Sequence, residues 1–295
     1  MEADKIAADR DELVSLMEPL LIGDGSHHRG EITDLALELT QKAAGFRRSL
    51  PPSLLASLAD LVRTMNCYYS NLIEGHDTHP VDIERALKND YSQDARKRDL
   101  QQEATAHITV QKWIDGGGLK GGLAIRAEGI QEIHRRFCEL MPEDLLWVED
   151  PATKETLRVV PGEWRKRDVQ VGTHLAISPG ALPRFLQRFE QGYTNVGKTE
   201  SIIATAAAHH RLLWIHPFTD GNGRVTRLMS HAMMLEMLDT GAVWSVARGL
   251  ARRVDDYKRL LANCDLPRRK RSRRPRNLKR GSTRGIHAVF PESVY

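Results

Sequence analysis

Between two stretches of helical apolar spacing the chain sets a short run that a packing role does not explain. The run is HPFTDGNGRVTR, His216 to Arg227, and it joins a histidine, a carboxylate, two glycines, an asparagine and two arginines. Upstream, Ile202, Ile203, Ala206, Ala207, His210, Leu213 and Trp214 share one side of a helix expected over 200–214. Downstream, Val225, Leu228, Met229, Ala232 and Met233 recur at i, i+3, i+4, i+7 and i+8, so a second helix begins near Asn222 or Gly223. The DGNG segment therefore sits at a helix N-terminus, where unpaired N–H groups and the positive dipole end attract anions. Glycine lets an anion come close to the backbone. Arg224 and Arg227, one turn apart, can fork onto phosphate oxygens. Asp220 offers the hard oxygen that Mg²⁺ prefers, and His216 can accept a proton near neutral pH.

Taken singly, each of these residues has a plainer role. A lone histidine is usually structural, an Asp before Gly forms turns, and arginine pairs commonly decorate a solvated face. It is the joint pattern that points to an anion-handling site. His209 and His210 are expected as core or supporting residues. A metal site from His210, His216 and Asp220 stays open, although no helical H-x-x-x-H pair accompanies it. The G-x-x-x-x-G-K-[ST] loop of the common nucleotide-binding fold is absent from the sequence.

The remainder of the chain reads as mostly helical. Leu54, Leu55, Leu58, Leu61, Val62 and Met65 keep helical spacing after a Pro-Pro-Ser start at 51–53, and Ser92 to Ile114 reads as another helix. Gly116, Gly117, Gly118, Gly121 and Gly122 mark a soft boundary, dividing the chain into an N-terminal helical region (1–115) and a core (116–266). Between Leu146 and Val171 short extended runs alternate with PGEWRKR, which predicts one β-hairpin within a helical fold. The expected class is all-α with a small β-hairpin flap. Three cysteines, Cys67, Cys138 and Cys264, give neither a disulfide framework nor zinc spacing. The charged start MEADKIAADRDEL lacks an apolar signal core and no bilayer-length run follows, so a cytoplasmic protein with no membrane partner is expected. The formal net charge is +4, but residues 268–295 hold ten Lys or Arg and one acid, leaving 33 basic and 38 acidic groups before them. The basicity belongs to the tail (267–295), which is expected to be solvated and disordered.

HPFTDGNGRVTR resembles the signature of the Fic family, H-x-F-x-[DE]-G-N-G-R-x-x-R, with each fixed position matched. The resemblance implies an adenylyltransferase that moves AMP from ATP to a Ser, Thr or Tyr hydroxyl of a target protein. In that role His216 is the general base and Asp220 holds Mg²⁺. Gly221, Asn222 and Gly223 cradle the α- and β-phosphates, Arg224 takes the β-phosphate and Arg227 the γ-phosphate, while Phe218 anchors the loop. The related Doc kinases carry Lys where this chain has Gly223, which favours AMP transfer over phosphorylation. The stretch VVPGEWRKRDVQVG is similar to the family's flap (155–172), whose strand edge at Val169, Gln170 and Val171 would align an extended target segment.

Ser70 to Gly75, within YSNLIEG, reads on its own as a helix end with a glycine cap. It is also similar to the family's inhibitory motif S-x-x-x-E-G, which implies that Glu74 pairs with Arg227 and removes the γ-phosphate contact. Other readings stay open: UMP as donor, removal of AMP, a homodimer, or a DNA-binding regulator acting through the tail. Nucleic acid is not the expected partner, because the tail lacks aromatic interleaving and a helix-turn-helix pattern. One expectation concerns the gene. Read from the second base of each codon after Arg269, the tail permits N-D-L-D-G-R-G-[IT]-L-S-E over 270–280, as relatives carry there, so a shifted frame is expected. The nucleotide sequence decides it: a second-base frame that does not encode DLDGRG refutes the shift.

Overall fold

The computed structural model describes residues 9–76, 78–150, 153–238 and 240–266. The basic tail, with its expected disorder and shifted frame, lies outside the described residues. An irregular entry segment contains one turn of 3-10 helix at Val14–Met17 and leads to α1 (Arg29–Ser49) and α2 (Pro52–Glu74). Pro52 suits the start of α2, because its fixed φ is helical and the N–H it lacks would have no partner there. The same helix ends at Gly75, whose left-handed φ of 82° lets its N–H bond Leu72 O at 3.1 Å while His76 N–H bonds Asn71 O at 2.9 Å. That cap fixes the direction in which Glu74 leaves the helix.

Next come α3 (Pro80–Ala86) and α4 (Ala95–Asp115), the latter capped by Asp94, whose carboxylate accepts from Lys97 N–H at 2.9 Å. After a glycine-rich turn, α5 (Ala127–Glu139) precedes β1 (Trp147–Glu149) and β2 (Thr156–Arg158), then β3 (Gln170–Val171) and β4 (His174–Leu175). Helices α6 (Leu182–Tyr193), α7 (Lys198–Ile215), α8 (Asn222–Met237), α9 (Val246–Ala251) and α10 (Val254–Asp265) complete the described chain.

The main core lies among α4 to α8. Ile130, Ile133, Leu182, Phe185, Phe189, Leu212, Ile215, Phe218 and Leu228 are fully buried there. Each such side chain contributes about 1.5–3 kcal/mol by leaving water. Helices α7 and α8 pack most extensively against each other, α1 lies on α7, and α2 lies on α9 and α4. This arrangement brings the C-terminal end of α2 beside the start of α8.

The glycines at 116–122 form a turn, and Ala106, Val110 and Ile114 of α4 join the same apolar cluster as α5 to α8. One expectation meets a different arrangement. The single hairpin expected over 155–172 is replaced by two. Trp147↔Arg158 through Glu149↔Thr156 pair β1 with β2, and Gln170↔Leu175 and Val171↔His174 pair β3 with β4. The intervening PGEWRKR is not strand, because Trp164 and Arg165 turn inward onto the α7–α8 loop.

Three histidines are packed into the interior as neutral rings. Burial lowers His107 and His209 to about 3 and His134 to about 4. In the unfolded chain an imidazole titrates near its ordinary value of about 6.5. Below that pH the unfolded chain binds protons that the fold refuses, so stability is complete above it and declines on acidification. The urea unfolding free energy is expected to fall by more than about 2 kcal/mol between pH 7.5 and pH 5. An unchanged midpoint across that range would contradict the neutral burial of these rings.

Candidate active site

The loop between α7 and α8 is held in shape by four buried contacts. His216 closes α7 in a left-handed conformation, φ 51°, with its N–H still bonded to Leu212 O at 3.0 Å. Phe218 is fully buried and stacks on the His134 ring at 3.8 Å with 5° between planes. Asn222 spans the loop: Phe218 N–H donates to its Oδ1 and its Nδ2 donates to Phe218 O, both at 2.9 Å. Gly221 then adopts φ 78° and releases the chain into α8.

Arg165 adds the fourth contact from the segment before β3. Its Nε donates to His216 O at 2.7 Å, its NH2 to Ile177 O at 2.5 Å and Ile215 O at 3.4 Å, and its backbone N–H to Pro217 O at 2.9 Å. A buried guanidinium thus satisfies carbonyls at the end of α7, where the helix dipole favours a cation. Burial lowers Arg165 to about 10, which leaves it charged at neutral pH. Sequence reading gave neither Arg165 nor His134 a role. Their signals were a basic side chain inside a hairpin pattern and a histidine between the apolar Ile133 and Phe137.

His216 Nδ1 lies 3.3 Å from Leu213 O. A carbonyl only accepts, so Nδ1 carries the proton and the lone pair is on Nε2. Burial lowers the ring to about 4, with the Leu213 bond and the Glu74 carboxylate acting in the opposite direction. At neutral pH this imidazole is a proton acceptor. Asp220 is exposed on the same loop. No side chain caps α8, so its first N–H groups are available to an anion.

The first two turns of α8 carry two buried arginines, and the fold supplies each with a carboxylate. Arg227 Nε donates to Ser70 Oγ at 2.8 Å, and its NH2 to Glu74 Oε1 at 2.5 Å. Burial opposes ionisation of Glu74, but Arg227, with Arg224 and His76 beyond it, outweighs burial and holds the carboxyl below its ordinary value. A Cβ at Gly223 would collide with Glu74 Oε1, so the absence of a side chain there lets the carboxylate settle on the helix start. Arg224 pairs with Glu103 of α4 at 2.5 Å and lies over the Phe137 ring at 5.5 Å. Its Nε is buried without an acceptor among the described residues. Glu103 was missed because nothing in the spacing around it distinguishes it from the other charges of α4.

A cavity of about 250 Å³ opens beside this turn, lined among others by Asp220, Gly221, Arg224, Glu103 and Phe137. The β3–β4 hairpin lies against the C-terminal end of α7. Gln170 and Val171 are exposed, Val171 by 47%, and Val169 O accepts from Ala176 N–H at 3.0 Å. His174 Nε2, 2.8 Å from Trp214 O, ties the hairpin to α7.

The alternative metal site does not assemble. His210 Nε2 is bonded to Asp265 at 2.9 Å, and no group of three or more His, Cys, Asp or Glu gathers among the described residues. His209 is a core residue between Ser230 Oγ at 2.8 Å and Tyr257 OH at 2.7 Å.

Residues 124–234 match the family model Fic, described as Fic/DOC family. The chain is 31% identical over 171 residues to the protein adenylyltransferase Fic of Drosophila mojavensis, covering 57% of this chain and 31% of that protein. It is 30% identical over 171 residues to the Culex quinquefasciatus protein of the same name, covering 57% and 31%. The matched region thus spans less than a third of these curated relatives. Among solved structures, a Fic family protein from Desulfovibrio desulfuricans G20 superposes with a TM-score of 0.60 at 18% identity, covering 83% of this chain and 69% of that one. Residues 134–508 of Fic-1 from C. elegans give 0.58 at 18% identity, covering 80% and 66%. At these identities the likeness shows a shared fold.

Proposed function

We propose that this Fic-domain protein transfers AMP from ATP to a Ser, Thr or Tyr hydroxyl of a target protein, and that Glu74 restrains the reaction. The carrying observation is the pairing of a neutral, half-buried His216 with an uncapped helix start bearing Asp220, Arg224 and Arg227. The names of the relatives, protein adenylyltransferases, support the same chemistry. In this reading the triphosphate lies along the start of α8, its oxygens on the N–H groups of Asn222 and Gly223 and on the two arginines. His216 Nε2 takes the proton of the target hydroxyl as that oxygen bonds to the α-phosphorus. The bond to the bridging oxygen breaks, pyrophosphate leaves, and the target keeps the AMP. Arg224, fixed by Glu103, neutralises charge growing on the leaving group.

The residues suit Mg²⁺ in the way a phosphate-bridging ion is held. Asp220 is one exposed carboxylate, which suits an ion whose other positions fall to phosphates and water. Bound there, Mg²⁺ would screen the charge of the triphosphate. The side chain of Asn222 works differently from the phosphate cradle that resemblance implies, being occupied with Phe218, so its contribution to a phosphate is its backbone N–H.

The brake follows from competition for one guanidinium. Glu74 occupies Arg227 and stands on the helix start where phosphate oxygens would come. Removing one partner of a buried pair leaves the other without its counter-charge until a ligand supplies one. A coupling of about 1.4 kcal/mol would change the active fraction tenfold.

Glu74→Gly is expected to raise labelling from radiolabelled ATP at least about tenfold, and adding Arg227→Ala should reverse part of the gain. Equal labelling by wild type and Glu74→Gly would remove the brake from this account. His216→Ala in the Glu74→Gly background should abolish transfer while ATP still binds, measured by calorimetry. Transfer that survives this change would exclude His216 as the base.

A further inference from the structure

The β3–β4 hairpin has two residues in each strand, and both strands are largely exposed. A hairpin of that size has little stability of its own, so its position depends on what holds its two feet. The feet are Asp168, just before β3, and Ser178, shortly after β4. Both are gripped by the irregular segment at the beginning of the described chain, far outside the matched Fic domain.

The grip at Ser178 is bidentate and partly buried. Ser178 N–H donates to Glu12 Oε1 at 2.8 Å, and Ser178 Oγ–H donates to Glu12 Oε2 at 2.6 Å. The same Oγ accepts the backbone N–H of Arg10 at 3.1 Å. Ser178 is fully buried and the Glu12 carboxyl is drawn down to about 2, its burial outweighed by the Ser178 bonds. Arg10 NH1 reaches the other foot, Asp168 Oδ2, at 2.6 Å.

The segment doing this is itself anchored. Met17 and Leu20 are buried, Tyr193 OH donates to Leu20 O at 3.1 Å, and Arg211 NH2 donates to Pro19 O at 3.2 Å. Arg184 pairs with Asp9 at 2.6 Å, and Arg188 pairs with Glu18. At Gly180, just past the Ser178 foot, an added Cβ would lie 2.7 Å from Asp9 N, so chain and foot are in direct backbone contact. The neighbouring Ile177 carbonyl receives Arg165, whose Nε holds His216 O. One short path therefore runs from Glu12 through the hairpin foot to the loop of the proposed base.

We propose that residues 9–20 form a strap that fixes both feet of the β3–β4 hairpin, and that Glu12 is a positioning residue for the incoming protein target. The proposal rests on the reading of this hairpin as the edge on which a target strand pairs. Glu12 contacts none of Asp220, Arg224 and Arg227. Its loss therefore affects target alignment and leaves nucleotide binding as it was.

The test uses the full chain carrying Glu74→Gly, with Glu12→Ala, Ser178→Ala, Glu12→Gln and Arg10→Ala added singly. Amide hydrogen exchange is read at residues 169–176, and radiolabelled ATP supplies transfer to lysate proteins at varied lysate and ATP concentrations. For Glu12→Ala and Ser178→Ala, exchange in the hairpin is expected to speed about tenfold, the size of a lost charge-assisted hydrogen bond. Lysate needed for half-maximal labelling should rise by a similar factor, while the half-saturating ATP concentration stays unchanged. Glu12→Gln keeps an acceptor for the Ser178 N–H and should recover part of the protection. Arg10→Ala removes the half-exposed pair with Asp168 and a longer contact with Glu12, while its backbone N–H still reaches Ser178, so hairpin exchange should speed by less than in Glu12→Ala. Hairpin exchange unchanged in Glu12→Ala, or faster exchange spread evenly over all helices, would overturn the strap. If the Glu74→Gly protein labels nothing at all, the transferase reading fails, and the exchange measurement still decides whether the strap holds the hairpin.

Discussion

Two arginines in the first two turns of a helix, both buried, are the constraint around which the site is built. Arg224 and Arg227 add full positive charge to a helix end that already carries the positive pole of the dipole. Burial of such a cluster is costly unless anions meet it. The fold meets it with Glu103 from α4 and Glu74 from the end of α2; burial opposes ionisation of both, and His76 with Arg224 outweighs it at Glu103 as Arg227 does at Glu74. The two partners differ in one respect. Glu103 is nearly enclosed, with 10% of its side chain exposed, whereas Glu74 keeps 34% and sits on the last residue of a helix. The first has the character of a fixture and the second of a displaceable occupant.

Around that cluster the loop geometry relies on polar groups that are buried yet satisfied. His134 is neutral, stacks on Phe218 and accepts Gly162 N–H at 2.9 Å, joining α5 to the segment leading into the hairpin. Arg165 stays charged and collects the carbonyls that end α7. Neutral histidine on one side and cationic arginine on the other hold the loop without placing a second negative charge beside Asp220. An imidazole at His216 that stays neutral to about pH 4 is a product of the same enclosure.

The sequence by itself determined the parts that depend on local spacing. The apolar periodicity of α7 and α8 fixed their faces, the glycines fixed where the chain could turn left-handed, and the run from His216 to Arg227 fixed which groups share one loop. Gly75 at the end of α2 marked where Glu74 would be presented, and resemblance supplied its partner. Local pattern is legible because a helix turn repeats within a few residues and an N-terminus exposes N–H groups whatever surrounds it.

Only the tertiary structure decided what meets that loop from far along the chain. Glu12 and Ser178 are 166 residues apart, Arg227 and Glu74 are 153 apart, and Arg165 reaches His216 across 51. The side chain of Asn222 clamps Phe218, because the turn folds it back onto the backbone. The hairpin divided in two because Trp164 and Arg165 found partners inside the protein. The physical reason is common to these cases. Periodicity tells which face of an element is buried, whereas the identity of the group pressed against that face follows from how distant elements pack, and a charged side chain carries no local mark of the partner that will neutralise it.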